Sequence, residues 1–361
     1  MEKTITVTKT FLPPIAEYQA ILQRAWDQQW LTNRGELVLE LEEKLKVYLE
    51  VPYITCTNNG TVPLQIALEL LGKGGEIITT PFSYVATTAA IVWQHCTPVF
   101  VDIHPEYLTI DERLIEAAIT PHTTAILATH VFGNPCAVEE IEAIANKHNL
   151  KVIYDAAHCF GVNYKGQSIL NYGDVSTLSF HATKLFHTGE GGAMVTTDNT
   201  LHKQLYNSHN FGHDGPLAFH GLGINGKISE LQAALGLAVL PYMQHILTER
   251  KRVVEIYDTH LNFENLHRLK PREGTQWNYS YYPVVFQTEA QLLKAEKALL
   301  EQQIVPRRYF YPGLNTLPYV EAVNVPVCDS KYKRVLCLPL SHELKENELD
   351  MITSILNTEL C

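Results

Sequence analysis

The sequence predicts an α/β fold: a mostly parallel central sheet flanked by helices, with a smaller C-terminal α+β domain. Three observations carry this. Short apolar runs alternate with helical segments between about residues 60 and 200, and that alternation places helices on both faces of a parallel sheet. A long helical stretch follows, from about Pro241 to Leu261. Beyond it the order becomes strand, helix, strand, helix.

Residues 1 to about 35 read as an arm: Phe11-Leu12-Pro13-Pro14, one short helix, then Trp30-Leu31-Thr32-Asn33-Arg34-Gly35. Strands are expected over Glu76–Thr80, Pro98–Asp102, Thr124–His130, Lys151–Ala156, Val175–Phe180 and Ala193–Thr197. Short, continuous apolar runs of this kind suit strands buried on both faces. Pro135 to Asn149 is the clearest helix, because Val138, Ile141, Ile144 and Ala145 share a face and Pro135 suits a helix start. Ile228 to Leu240 is expected to turn Ile228, Leu231, Leu235 and Ala238 inward. The long helix is the natural boundary. It divides the chain into 1–245, the arm plus a large domain, and 246–361, a small domain. The small domain is expected to hold strands over Tyr279–Phe286 and Ile304–Tyr309, and helices over Glu289–Gln303 and Leu344–Leu356.

The 361 residues carry a net charge of -11. That disfavours nucleic acid, whose binding needs a basic face to displace counterions. A small anion is still admissible, since a few local cations or backbone N–H groups suffice. The seven cysteines include no C-x-x-C pair, so neither a disulfide framework nor a zinc ribbon is indicated. The sixteen histidines include no H-E-x-x-H, so no metal is expected. No apolar run approaches the roughly 18 residues of a membrane helix, and the first residues lack a signal-peptide core. A cytoplasmic protein without a membrane partner is expected.

Three segments carry chemistry. Asn58-Asn59-Gly60-Thr61 precedes the apolar helix Val62–Leu71. A small-residue turn there offers backbone N–H groups and the positive end of a helix dipole, which suits a phosphate; a plain cap by Asn59 or Thr61 is the alternative. Asp155 ends the apolar run Val152-Ile153-Tyr154, at the strand edge where α/β sheets bind ligands. A carboxylate there could hold a pyridine nitrogen protonated; a loop Asp capping the next turn is the alternative. Lys184 follows Ser179-Phe180-His181-Ala182-Thr183 and precedes Gly189-Glu190-Gly191-Gly192. Partial burial would free its amine to attack a carbonyl; taken alone, it reads as an ordinary surface lysine. Gly221-Leu222-Gly223-Ile224-Asn225-Gly226 matches G-x-G-x-x-G, but no clear strand precedes it, so a dinucleotide site is discounted.

In this order the segments resemble the DegT/DnrJ/EryC1/StrS sugar aminotransferases, members of the fold-type I pyridoxal-phosphate enzymes. The resemblance covers nearly the whole chain, from the Phe11 and Trp30 arm segments through Thr80-Pro-Phe-Ser-Tyr-Val-Ala-Thr to Arg307-Arg-Tyr-Phe-Tyr-Pro-Gly-Leu. It implies pyridoxal 5'-phosphate as cofactor, with Lys184 as its Schiff-base lysine and Asp155 on the ring nitrogen. It further implies Tyr84 on the ring face and His158 near the phenolic oxygen. Gly60, Thr61 and Ser179 would hold the phosphate, joined by Asn225 from the second subunit of a homodimer. Thr32, Asn33, Arg307, Tyr309 and Tyr311 would meet a nucleotide-linked keto-sugar, with L-glutamate as amino donor. The arm is most similar to enzymes that aminate dTDP-4-keto-6-deoxyglucose at C4. Amination at C3, UDP- or GDP-linked substrates, and a non-enzymatic sensor on the same fold are the alternatives. A sugar dehydratase is disfavoured, because such relatives carry His where this chain has Lys184. Ala182, Leu185 and Asn315 depart from the Pro, Asn and His common in the family.

Overall fold

The computed structural model describes residues 4–359. Seven strands form the central sheet: β1 (Tyr53–Thr57), β2 (Glu76–Thr79), β3 (Thr97–Phe100), β4 (Thr123–Thr129), β5 (Lys151–Asp155), β6 (Val175–Ser179) and β7 (Gly192–Thr196). Their order is β1-β7-β6-β5-β4-β2-β3. Neighbours from β6 to β3 run parallel, and β7 runs antiparallel to both β1 and β6. The sheet is thus mostly parallel, as expected, with its six predicted strands found within a residue or two at each end. β1 and the helix before it lie outside the sequence reading.

Successive side chains on a strand point to opposite faces, and here each face has its own core. Ile78, Ile126, Tyr154, Leu178 and Val195 pack with helices α2 (Glu36–Leu49), α5 (Val138–His148) and α7 (Glu230–Val239). Their neighbours Ile77, Leu127, Ile153 and Met194 pack with α3 (Thr61–Leu71), α4 (Val85–Trp93) and α6 (Asn199–Ser208). Helix α1 (Ile15–Asp27), the short helix of the arm, lies against α7.

Helix α8 (Met243–His260) joins two cores: Met243 and Ile246 belong to the sheet's, while Val253, Val254 and Tyr257 belong to a C-terminal one. The latter is built on β8 (Leu266–Arg268), β9 (Tyr282–Phe286) and β10 (Val335–Leu338), antiparallel in that order, with α9 (Glu289–Glu301) and α10 (Glu346–Glu359). Ile5 also packs there, since Ile5–Thr6 pairs with Ile304–Val305. No helix among the described residues is long and apolar enough to cross a membrane.

The differences in element bounds have local causes. Helix α5 starts at Val138, not Pro135, because the Cys136 N–H donates to His130 Nδ1 at 2.9 Å. In α7 Ala238 is buried and Leu235 packs on the core as expected, joined by Ala233, Ala234 and Leu237, whereas Leu231 is exposed. Ile228 lies outside this helix because Ser229 caps it, with Gln232 reciprocating. Small residues on the inward face then let α2 come close: a Cβ on Gly236 would lie 3.1 Å from a Leu41 methyl. β9 starts at Tyr282, not Tyr279, because Tyr279 has φ +53° and the Tyr279 and Ser280 carbonyls accept from buried Arg250. The strand at Ile304 stops after Val305, since Pro306 has no N–H to continue a ladder. Helix α9 stops at Glu301, before Gln303 at φ +58°, and α10 runs on to Glu359. The six described cysteines are free and buried; Cys361 lies outside the described residues.

Candidate active site

Parallel register puts the carboxyl ends of β4, β5 and β6 side by side, with Thr129 opposite Asp155 and Asp155 opposite Thr177. A cavity of about 220 Å³ opens there, and Lys184, Asp155, His158, Gly60, Thr61, Tyr84, Ser179, Arg307 and Tyr309 all line it. Nine residues predicted from scattered segments therefore meet in one place.

Gly60 sits where β1 turns into α3. A Cβ there would fall 2.6 Å from the Ser179 Cβ, and one on Gly192 would fall 2.4 Å from the Asn59 carbonyl oxygen. Glycine is required at both because two backbones nearly touch. Asn59 Oδ1 accepts the N–H groups of Thr61 (2.8 Å) and Val62 (2.9 Å). Two of the backbone donors expected to be open at this turn are therefore already engaged. The Thr61 and Ser179 side chains, brought together at this rim, are what the turn adds to the cavity.

Lys184 lies on a loop that leaves β6 and returns as β7. Phe180 N–H donates to the Gly191 carbonyl (2.7 Å) and Ala182 N–H to that of Gly189 (2.7 Å). Leu185 and Phe186 are buried in the core, and Phe186 stacks on Phe160 at 4.5 Å. The arm pins the same loop: Thr10 Oγ1 donates to the Ala182 carbonyl (2.8 Å), and His187 Nε2 lies 2.7 Å from that of Phe11. Burial lowers the Lys184 pKa to about 8, against the raising effect of Asp155 and with help from Arg307. Since the shift is downward, the amine is mostly neutral above pH 8, well before an ordinary lysine near 10.4. Imine formation with an added aldehyde such as pyridoxal phosphate, followed by absorbance, is expected to accelerate up to about pH 8 and then level off. A rate still climbing through pH 10 would contradict a lowered amine.

Asp155 is buried; its Oδ2 accepts from Thr87 Oγ1 (2.7 Å) and its Oδ1 from the Ala157 N–H (3.1 Å). His158 Nδ1 accepts the Phe132 N–H at 3.1 Å, which leaves the ring proton on Nε2. Burial, with Lys184 nearby, pushes the His158 pKa well below its ordinary value, so the ring is a neutral donor. It packs between Tyr281 (4.7 Å) and Phe310 (5.9 Å). Phe310 in turn stacks on Phe132 and meets Phe82, and this aromatic cluster carries Arg307 and Tyr309 from the C-terminal part to the cavity. The Arg307 guanidinium lies over the Tyr309 ring at 4.1 Å.

Four predicted residues do not line the cavity. Thr32 and Asn33 are exposed. Tyr311 lies under the Arg308 guanidinium at 3.8 Å. Asn225 sits on an irregular segment bridged to Asn210, without the strand–helix unit of a dinucleotide site. Asn315 is buried and holds the Val323 carbonyl and Asp329 (2.9 and 3.1 Å), away from the cavity. The sequence reading missed Ser83, Thr87 and Thr129. The i, i+4 spacing of Ser83 and Thr87 at a helix start, which puts both on one face, is the signal that could have found them.

An amine with a lowered pKa, a buried carboxylate and a glycine-lined turn in one cavity suit chemistry on an aldehyde cofactor carrying a phosphate. The chain belongs to the DegT/DnrJ/EryC1/StrS aminotransferase family, whose profile matches residues 15–357. It is 43% identical to the dTDP-4-amino-4,6-dideoxy-D-glucose transaminase of Shigella dysenteriae, over 98% of each chain. It is 40% identical to the Escherichia coli transaminase of the same name, again over 98% of each. Among solved structures it is similar to DesI, crystallised in the presence of its TDP-sugar product, with a TM-score of 0.94 and 31% identity over 99% of this chain and 93% of that one.

Proposed function

We propose that this protein is a pyridoxal-phosphate-dependent aminotransferase that moves the amino group of L-glutamate to C4 of dTDP-4-keto-6-deoxy-D-glucose. The product is dTDP-4-amino-4,6-dideoxy-D-glucose, a precursor for O-antigen or a related surface glycan made in the cytoplasm. The observation that carries the reading is 43% identity, over 98% of the chain, to a transaminase named for that sugar. The residues present fit the cofactor: the Lys184 amine, lowered to about 8, shares a cavity with Asp155 and with the cradle that a Cβ on Gly60 would fill.

When bound, pyridoxal phosphate supplies an aldehyde that carries the amino group and a ring that takes up the electron pair released at Cα. Lys184 Nζ attaches the cofactor and then moves the proton lost from the glutamate Cα. Asp155 would hold the ring nitrogen protonated, His158 would donate toward the phenolic oxygen, and Tyr84 would cover one ring face. Gly60, Thr61 and Ser179 would cradle the phosphate. Arg307 and Tyr309 face the sugar nucleotide from the C-terminal part, which we take as a small domain over 246–361 beside a large domain over 1–245. Asn225 lies outside its own chain's cavity and is contributed by the second copy in a homodimer; Thr32, Asn33 and Tyr311 complete the nucleotide side. Exposed Phe211, Leu217, Phe219 and Leu222 beside Asn225 support that pairing, since apolar groups clustered at a surface favour association.

The test is an absorbance spectrum of the protein with pyridoxal phosphate, before and after glutamate. A visible band that bleaches with glutamate is expected, followed by recovery on adding the C4 ketone. A protein that binds no pyridoxal phosphate overturns the enzymatic reading. Recovery with a C3 ketone but not the C4 ketone overturns the substrate.

A further inference from the structure

Three hydroxyls form a row that ends on Asp155. Thr129 ends β4, Ser83 precedes α4, and Thr87 lies in the first turn of α4. Thr129 Oγ1 lies 2.9 Å from Ser83 Oγ, Ser83 Oγ lies 2.7 Å from Thr87 Oγ1, and Thr87 Oγ1 lies 2.7 Å from Asp155 Oδ2. All three are buried. The direction of donation follows from chemistry alone. An ionised carboxylate only accepts, so Thr87 spends its one O–H on Asp155. Thr87 must then accept from Ser83, and Ser83 from Thr129. Every proton in the row points toward Asp155, and such aligned rows polarise one another.

We propose that the Thr129–Ser83–Thr87 row is a positioning relay that holds Asp155 in its working orientation and sets how strongly that carboxylate acts on the cofactor ring. None of the three is assigned to the ring itself; they act through Asp155. Geometry supports this over a purely packing role. The Ala157 N–H holds Asp155 Oδ1 and the row holds Oδ2, so both oxygens are fixed and rotation of the carboxylate breaks one bond or the other. A threonine whose only task was to satisfy itself in a helix would bond back to a carbonyl of the preceding turn. Thr87, in the first turn of its helix, reaches across to a strand end instead.

The inference rests on the proposed cofactor, and the experiment separates the two. Thr87→Val keeps the shape and deletes the donor. Expected are a kcat about tenfold lower, the size of one hydrogen bond to a charged group, a KM for glutamate within about twofold, and an altered visible absorbance of the cofactor-loaded protein. Thr87→Ser, which restores the hydroxyl, is expected to return both rate and spectrum to within about twofold. In an Asp155→Asn background Thr87→Val is expected to change the spectrum and the single-turnover rate no further. A melting temperature for each variant shows that it is folded. If Thr87→Val does not fold, Ser83→Ala replaces it: removing the second donor is expected to slow kcat about threefold, with the same spectral change. A folded Thr87→Val (or Ser83→Ala) protein with wild-type rate and spectrum overturns the relay. So does an undiminished effect in the Asp155→Asn background, which would show that the row acts independently of Asp155. A wild-type protein that takes up no pyridoxal phosphate overturns the proposed function instead.

Discussion

Lys184→Ala is expected to leave a folded protein that transfers no amino group, with turnover reduced by at least about 10³-fold. In the proposed reaction two tasks rest on one nitrogen, attachment of the cofactor and movement of the Cα proton, and a positioned proton-transfer group alone contributes about 10²- to 10⁴-fold. The loop keeps its shape without the amine, because its anchors are buried Leu185 and Phe186 and the Thr10 and His187 hydrogen bonds. The variant also carries a stability signature. A lysine lowered to about 8 from an unfolded value of 10.5 takes up fewer protons folded than unfolded between those pH values. Its contribution to stability therefore rises with pH across that window and is least favourable below pH 8. Without cofactor at pH 7, the Ala variant is expected to melt at or above the wild-type temperature. Amino transfer within about tenfold of the wild-type rate would place the chemistry on another group.

Asp155→Asn is expected to lower kcat by about 10²-fold while cofactor uptake through Lys184 persists. Asparagine keeps the size but has one acceptor oxygen where Asp155 uses two, so the charge is lost together with the acceptor for either the Thr87 hydroxyl or the Ala157 N–H. An opposite charge at close range shifts a partner's pKa by about 1–3 units, and each unit is worth about tenfold when it falls on the reacting step. Rapid mixing of the loaded variant with glutamate isolates that step. An unchanged rate would reject the role given to Asp155. A variant that cannot take up the cofactor would move Asp155 from chemistry to binding.

The elements that could be read in sequence are those whose signal is local. The runs around Ile126, Ile153 and Leu178 are continuous because both faces of their strands are covered, and each was found within a residue or two. Asp155 and Lys184 stood out because each follows such a run. β1 escaped because Tyr53-Ile54-Thr55-Cys56-Thr57 interleaves threonines with apolar residues; α2 also went unread, although Leu37, Val38, Leu41, Leu45 and Leu49 repeat at helical spacing around a single buried Glu42. Glu42 is acceptable inside because it holds the Cys56 N–H and the Arg34 guanidinium. In and just before α7, Ile228, Leu235 and Ala238 face the core as the sequence suggests, and Leu231 alone of that set is exposed.

The types of chemistry available, an amine, a carboxylate, an imidazole and a glycine turn, were written in the sequence, since each is a property of one residue and its near neighbours. Their meeting was decided by the tertiary fold. Strand register put Thr129 beside Asp155, the β6–β7 loop brought Lys184 to the same edge, and the aromatic cluster around Phe310 brought Arg307 across from the C-terminal part. The lowered Lys184 amine and the aligned hydroxyl row exist only there, because desolvation and hydrogen bonding depend on groups far apart in the chain.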